Sequence, residues 1–462
     1  MRTLIAVLVL GAVAVAQSPP DDPGNFLAVD NPVIALTHAR VIDGTGAAAR
    51  EDQTVVIRNG NIAAIGGSLQ PPADALVMDL TGKSVLPGLV MLHEHMYYPT
   101  GPSVYGQLGE SFVRLYLAGG VTTLRTAGNL NGIMDLNLAR AVSAGRMAGP
   151  SIDATAPYLD GPNEFLQQYA LKDAADARRQ VAYWADLGAT SFKAYMHITR
   201  AELAAVIEEA HRRGLKVTAH LCSVTYAEAA AMGIDDLEHG FVASTDFVPG
   251  KQTDSCPDQG EASIASIDPR DPAVARLMRT LIDRRVALTS TLPVFEALAP
   301  GRPMPPGLDV LVPELRLAYE RFHESLAGNT TTIYGRLLTT EMALERAFVA
   351  AGGTLLAGTD PTGAGGVVPG YADARELELL VEAGFTPVEA IRIGTLNGAR
   401  YLGRDRRVGT VEAGKQADLL VTRGNPGVRI ADLHDVDLVF QAGMAYDPQR
   451  LIDSVRGHVG LW

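Results

Sequence analysis

The sequence predicts an α/β protein: a (β/α)8 TIM barrel with a small β-sandwich built from both termini. Three observations lead there. Between about residues 86 and 403, eight short apolar runs alternate with stretches whose apolar residues recur at spacings of three and four. The flanks instead show short alternating apolar and polar runs broken by Gly, the pattern of strands and turns. Histidines and one aspartate stand where several of the central runs end.

Taken in order, Arg2 is the lone charge ahead of an apolar run from Leu4 to Ala16, and Ala14-Val15-Ala16 offers a small-residue cleavage site. Residues 1–16 therefore read as a signal peptide, which places the mature protein in the periplasm or outside the cell. An uncleaved anchor is the alternative, but the run falls short of the ~20 apolar residues a spanning helix needs. Residues 17–31, rich in Pro, Asp and Gly, read as a flexible arm. Residues 32–85 hold strands around an Arg58-Asn59-Gly60-Asn61 turn, and residues 404–462 hold further Gly-broken strands. The two stretches together would make the sandwich, and residues 86–403 the barrel.

The eight barrel strands are expected at Val90–His95, Val121–Thr126, Ile152–Pro157, Thr190–Met196, Lys216–Leu221, Asp236–Phe241, Ala287–Leu292 and Thr354–Asp360. A doubly wound open sheet is the alternative topology. The polar insertion from Pro249 to Pro272 and the Pro-rich one from Ala299 to Pro313 would be loops, and barrel loops often build the substrate site.

Composition narrows the function. The 462 residues are 47% hydrophobic and 20% charged, with 39 Lys plus Arg against 52 Asp plus Glu and a net charge of -13. Such a balance argues against a nucleic-acid or anionic-membrane partner. Two cysteines, Cys222 and Cys256, exclude a disulfide framework and a four-cysteine zinc module. Both fall in exit loops of expected strands, so in an oxidising compartment they could pair, or stay as free thiols.

The carboxyl ends of barrel strands all open on one rim. His93, His95, His220, His239 and Asp360 would converge there, with Lys193 inside the fourth strand. His93 and His95 are two apart on a strand and so face the same side. Neutral imidazoles with a carboxylate suit zinc and related divalent ions. A single histidine of this set could equally be a hydrogen-bonded core residue; the whole set at strand ends argues for a metal. A lysine pointing into a barrel is costly to bury unless it is paired or neutralised. Either Lys193 makes a salt bridge, or its neutral amine takes up CO2 and becomes a carbamate that bridges two cations. Lys216 only opens its strand, at the far end of the barrel. His38, His434 and His458 belong to the terminal sheet regions, His211 to a helix end and His323 to a helix surface.

The segments "VLPGLVMLHEH", a fourth-strand Lys, "VTAHL", "LEHG", "AGTD" and the ending "GTLNGARYLG…RVGTVEAGKQADLLV" together resemble the amidohydrolase superfamily. Within it, the chain is similar to binuclear metal-dependent hydrolases related to prolidases and other amide-cleaving enzymes. The resemblance implies that His93, His95 and Asp360 hold one metal, His220 and His239 a second, and carboxylated Lys193 bridges both. It implies two divalent ions, Zn first with Mn or Fe as alternatives. The expected activity is hydrolysis of a carbon–nitrogen amide bond, in a dipeptide or an N-acyl amino acid. A metal-bridging hydroxide would attack, with Asp360 as general base and then acid.

"RTAGN" at 125 to 129 departs from the Arg-Asp pair of many prolidase-like relatives, and "KAYMHITRAEL" from Lys193 onward departs from their commoner loop. Both bear on the substrate rather than on the metal centre. Tyr195, His197, Arg125 and Tyr98 lie beside strand ends and are candidate substrate contacts. A cyclic amidase, a lactonase or another hydrolase on the same centre is an alternative activity, and an inactive binding protein an alternative of another class. Homo-oligomerisation is left open.

Overall fold

The structure is a computed structural model that describes residues 22–101, 104–162, 168–329 and 331–461. The expected signal peptide lies outside the described residues. Among them, no helix is long and apolar enough to cross a membrane.

The terminal strands form one continuous nine-stranded sheet. Its centre unites the two ends of the chain: Lys83–Pro87 runs antiparallel to Leu419–Arg423 and parallel to Val33–Val41. Arg50–Arg58 and Asn61–Gly66 form the expected hairpin, with Asn59 and Gly60 both at positive φ, the conformation that makes Asn-Gly a favoured tight turn. Ile34, Leu36, Val55, Val85, Leu419 and Phe440 from both halves share one apolar core. Within the stretch expected as a flexible arm, residues 22–29 take regular structure. Asp22 caps a short helical turn, Pro23–Phe26, and Leu27–Val29 adds an edge strand beside Met444–Tyr446.

The barrel strands are numbered here from one: β1 (Leu89–Glu94), β2 (Val121–Thr126), β3 (Ser151–Asp153), β4 (Ser191–Ala194), β5 (Lys216–Ala219), β6 (Asp236–Glu238), β7 (Ala287–Ser290) and β8 (Leu355–Ala357). All neighbouring pairs within this set are parallel and follow chain order. The β3–β4 seam is joined by Thr190 N–H to Ala154 O and Ala156 N–H to Ser191 O. The β8–β1 seam is joined by the amides of Thr359 and Asp360, both donating to His93 O at 3.1 Å. All eight strands therefore stand where the sequence places them. The third continues past Asp153 only as isolated bridges, Thr155 to Ser191 and Pro157 to Asn129.

Helices pack outside by the apolar faces read from the sequence. Arg200–Arg212 buries Leu203, Val206, Ile207 and Ala210, and starts in a Thr199/Glu202 capping box. Tyr371–Glu382 buries Leu377, Leu379 and Leu380. The insertion after β6 is not all loop: it carries a helix, Gly260–Ser266, and Cys256 ties it back to the β5 exit.

Candidate metal centre

β1 delivers His93, with His95 one residue past its end, and both rings turn into the barrel mouth. Asp360, three residues past β8, meets them: its Oδ1 lies 3.2 Å from His95 Nε2 and 3.7 Å from His93 Nε2. Those three residues place ligand atoms close enough to share one cation. Lys193 Nζ reaches the same point, 3.2 Å from His93 Nε2. The His239 ring packs against those of His93 and His220, tilted and edge-on, with centroids 4.6 Å apart in each case, and its Nδ1 lies 3.9 Å from Asp360 Oδ2. The six side chains read from the sequence thus converge on one site.

Two of them sit on strained backbone. His239 has φ 66° and Asp360 φ 54°, in the left-handed region that side-chain-bearing residues seldom enter. Such strain persists only where the surroundings over-determine it, and it concentrates at functional sites.

Hydrogen bonds fix the ring orientations. His93 Nδ1 stands 2.6 Å from Glu238 Oε2, His95 Nδ1 3.1 Å from Gly128 O, and His239 Nδ1 2.7 Å from Thr291 Oγ1. With Nδ1–H donating to those acceptors, Nε2 of His93 and His95 keeps its lone pair on the side of Asp360, where it can ligate a cation. Burial, and then the nearby Lys193 charge, lowers His93 to about 4 and His220 to about 3, so both rings are neutral at physiological pH. Burial likewise lowers the Lys193 amine. Burial opposes ionisation of Asp360, but the surrounding imidazoles, His93 first, outweigh it and hold the carboxyl well below its usual range. Neutral imidazoles, an ionised carboxylate and a depressed amine, all buried, are a donor set that fits divalent cations of the zinc type.

Beneath the ligands, Arg125 organises the barrel interior. It is 1% exposed. Its Nε donates to Leu92 O at 2.7 Å, and its Nη2 to Asp236 and Glu238 at 2.9 and 2.8 Å. Glu238 would resist ionisation where it is buried, but Arg125 and His93 overcome that and hold it charged. Arg125 therefore acts through Glu238 on His93, not on substrate as expected. Substituting Arg125→Met should destabilise the fold by about 3–5 kcal/mol, because two buried carboxylates lose their cation. A urea midpoint unchanged from the wild type would show that the pair does not depend on it.

The pocket over the centre holds about 200 Å³ and is walled by Tyr97, Tyr105, Tyr158, Tyr195, Val294 and Phe295. Of the expected substrate contacts only Tyr195 lines it. Tyr98 points the other way, accepting from Gly366 N–H at 2.8 Å, because successive residues of the strand Tyr97–Gly101 face opposite sides. His197 is turned aside by Asp160, which accepts its amide at 2.7 Å. The residues missed are Tyr97 and Tyr158, whose hydroxyls stand 2.5 Å apart, with Tyr158 3.4 Å from His95 Nε2. Tyr158 directly follows the expected third strand, Ile152–Pro157, so the strand-end rule that found the histidines also pointed to it. Cys222 and Cys256 form a disulfide, Cα to Cα 4.8 Å, that clamps the insertion onto the loop just after His220.

The family model described as "Amidohydrolase family" matches residues 314–446, which include Asp360 and the carboxyl-terminal strands of the sheet. The carboxyl-terminal part of the chain thus matches the amidohydrolase family. A solved structure of a presumed prolidase from Bifidobacterium longum is 26% identical, with a TM-score of 0.69, over 92% of this chain and 98% of that one. An enamidase of Eubacterium barkeri is 26% identical over 200 residues, 40% of this chain and 48% of the enamidase. A dihydroorotase of Anaeromyxobacter dehalogenans is 34% identical over 119 residues, 24% of this chain and 27% of the dihydroorotase. The chain thus matches less than half the length of either curated relative.

Proposed function

We propose that this amidohydrolase cleaves a carbon–nitrogen amide bond in a small substrate of dipeptide or N-acyl amino acid type. The observation that carries the reading is the meeting of His93, His95, Asp360 and Lys193 at the floor of an aromatic pocket. His93, His95 and Asp360 would hold one divalent ion, His220 and His239 a second, and Lys193, as its carbamate, both. The ions, when bound, would polarise the scissile carbonyl and lower the pKa of the attacking water. Asp360 accepts the proton of that water and passes it to the leaving nitrogen, from a position 3.2 Å from His95. Tyr158 keeps its proton, its pKa raised first by burial, and so can donate a hydrogen bond to the carbonyl oxygen as negative charge develops there.

The walls bear on the substrate. Apart from Lys193, the described lining carries neither Lys nor Arg, so the part of the substrate that enters is apolar or aromatic and its charged groups stay at the mouth. The disulfide agrees with action in an oxidising compartment, the periplasm or the cell exterior.

A panel of dipeptides, N-acyl amino acids, cyclic amides and lactones tests the reading on the metal-loaded protein. Aromatic acyl substrates should exceed charged analogues in kcat/KM by about tenfold or more, since each mispaired buried charge costs well over 1 kcal/mol. Chelation should abolish hydrolysis and zinc or manganese restore it. Unchanged turnover after verified metal loss, or no cleavage of any amide, would overturn the proposal.

A further inference from the structure

At the opposite end of the barrel from the metal centre, a cavity of about 550 Å³ opens among the starts of β5 to β8. Lys216, Arg285, Arg392 and Arg400 line it, in a chain whose net charge is -13. Among the described residues none of these four makes a side-chain hydrogen bond or an ion pair within 4 Å; Lys216 only rests on the Tyr401 ring, 4.3 Å from its centroid. The two carboxylates of the cavity are engaged elsewhere. Asp235 holds His211 at 2.9 Å and the Val217 amide at 2.8 Å. Glu389 caps its own helix through Thr386 and reaches Arg392 only at longer range.

Two features of the backbone mark this face, where all four cations are solvent-exposed. Six of the seven helix-to-strand junctions ahead of β2 to β8 put a glycine in the left-handed region: Gly120, Gly145, Gly188, Gly214, Gly233 and Gly352. The seventh, ahead of β7, has Arg285 there, at φ 59°. A side chain in this conformation carries strain that glycine avoids, so the position is costlier than at its six counterparts. Between Arg392 and Arg400 the helix widens into a π-turn, Ile393–Asn397, a distortion frequent at functional sites. Helix carboxyl ends gather at this face and favour a cation each. That effect accounts for single cations at single helix ends. It does not account for one ammonium and three guanidiniums around a shared cavity that holds only two carboxylates, each already bonded through one oxygen to other groups.

We propose that this cavity binds a small multivalent oxyanion, carrying phosphate or carboxylate groups, at a site separate from the metal centre. Guanidinium forks suit either group, each giving two parallel N–H bonds. The experiment is calorimetric titration of the full-length, metal-loaded protein with sulfate, and separately with succinate, against chloride at matched ionic strength. Sulfate stands for a tetrahedral oxyanion and succinate for a dicarboxylate. Saturable one-site binding is expected for at least one of them. The double variant Arg285→Gly with Arg400→Gln should weaken it about tenfold or more while leaving amide hydrolysis unchanged, two charge-assisted pairs being lost. Arg285→Gly alone should melt no lower than the wild type, since it restores the residue used at the other six junctions. Absence of saturable binding by either anion up to about 20 mM, well past the affinity expected of a built site, would overturn the proposal. So would binding unaffected by the double variant.

Discussion

Asp360→Asn is expected to lower kcat by about 10³–10⁴-fold while leaving the fold intact, the upper range for loss of a positioned general base. The substitution is close to a pure charge change. Asn tolerates the left-handed backbone that Asp360 occupies at φ 54°, so the β8 exit keeps its path. Its Oδ1 can still accept from the Thr362 hydroxyl, which lies 2.8 Å from the present carboxylate. What disappears is an acceptor for the water proton and an anionic donor beside His93 and His95. Circular dichroism and the melting temperature should match the wild type, and turnover should be compared at equal metal content. Near-normal turnover would show that another group takes the proton.

The strand-end residues were legible because barrel geometry turns a linear pattern into a spatial one. Once eight strands are recognised, every residue at a carboxyl end faces one rim, so His93, His95, His220, His239 and Asp360 follow without any knowledge of contacts. Arg125 shows where that rule stops. It lies one residue before the end of β2, and period-two alternation says that it points inward but not at what depth. Its fate was decided by Asp236 and Glu238, more than a hundred residues away. Tyr98 and Tyr97 were exchanged for a related reason. The hairpin after β1, Tyr97–Gly101 with Val104–Gln107, has too much Gly and Pro to read as strands, and facing within it could not be assigned. The edge strand Leu27–Val29 pairs with residues at the other end of the chain, and such pairing leaves no local periodicity to detect.

Lys193→Ala is expected to empty both metal positions and lower activity beyond about 10⁴-fold, because the metal that generates the nucleophile is lost with its bridge. The geometry behind this is specific. The amine is 1% exposed, 3.2 Å from His93 Nε2, and flanked by the Tyr158 and Tyr195 rings at 5.4 and 5.9 Å. No carboxylate lies within 4 Å of it among the described residues, so a salt bridge does not account for its burial. Burial lowers its pKa and favours the neutral amine. A neutral amine can attack CO2: the new N–C bond forms, the amine proton leaves to solvent, and a carbamate anion with two oxygens results. That anion would supply the negative charge that the two proposed cations would require and that Asp360 alone does not. Metal analysis of Lys193→Ala should find both positions depleted, and short carboxylic acids should restore part of the occupancy and of the turnover by supplying the missing oxygens. Lys193→Arg, which keeps a cation but cannot form the carbamate, should behave like the alanine variant. Full occupancy of both positions in either variant would show that the two cations are held without a bridge from this residue.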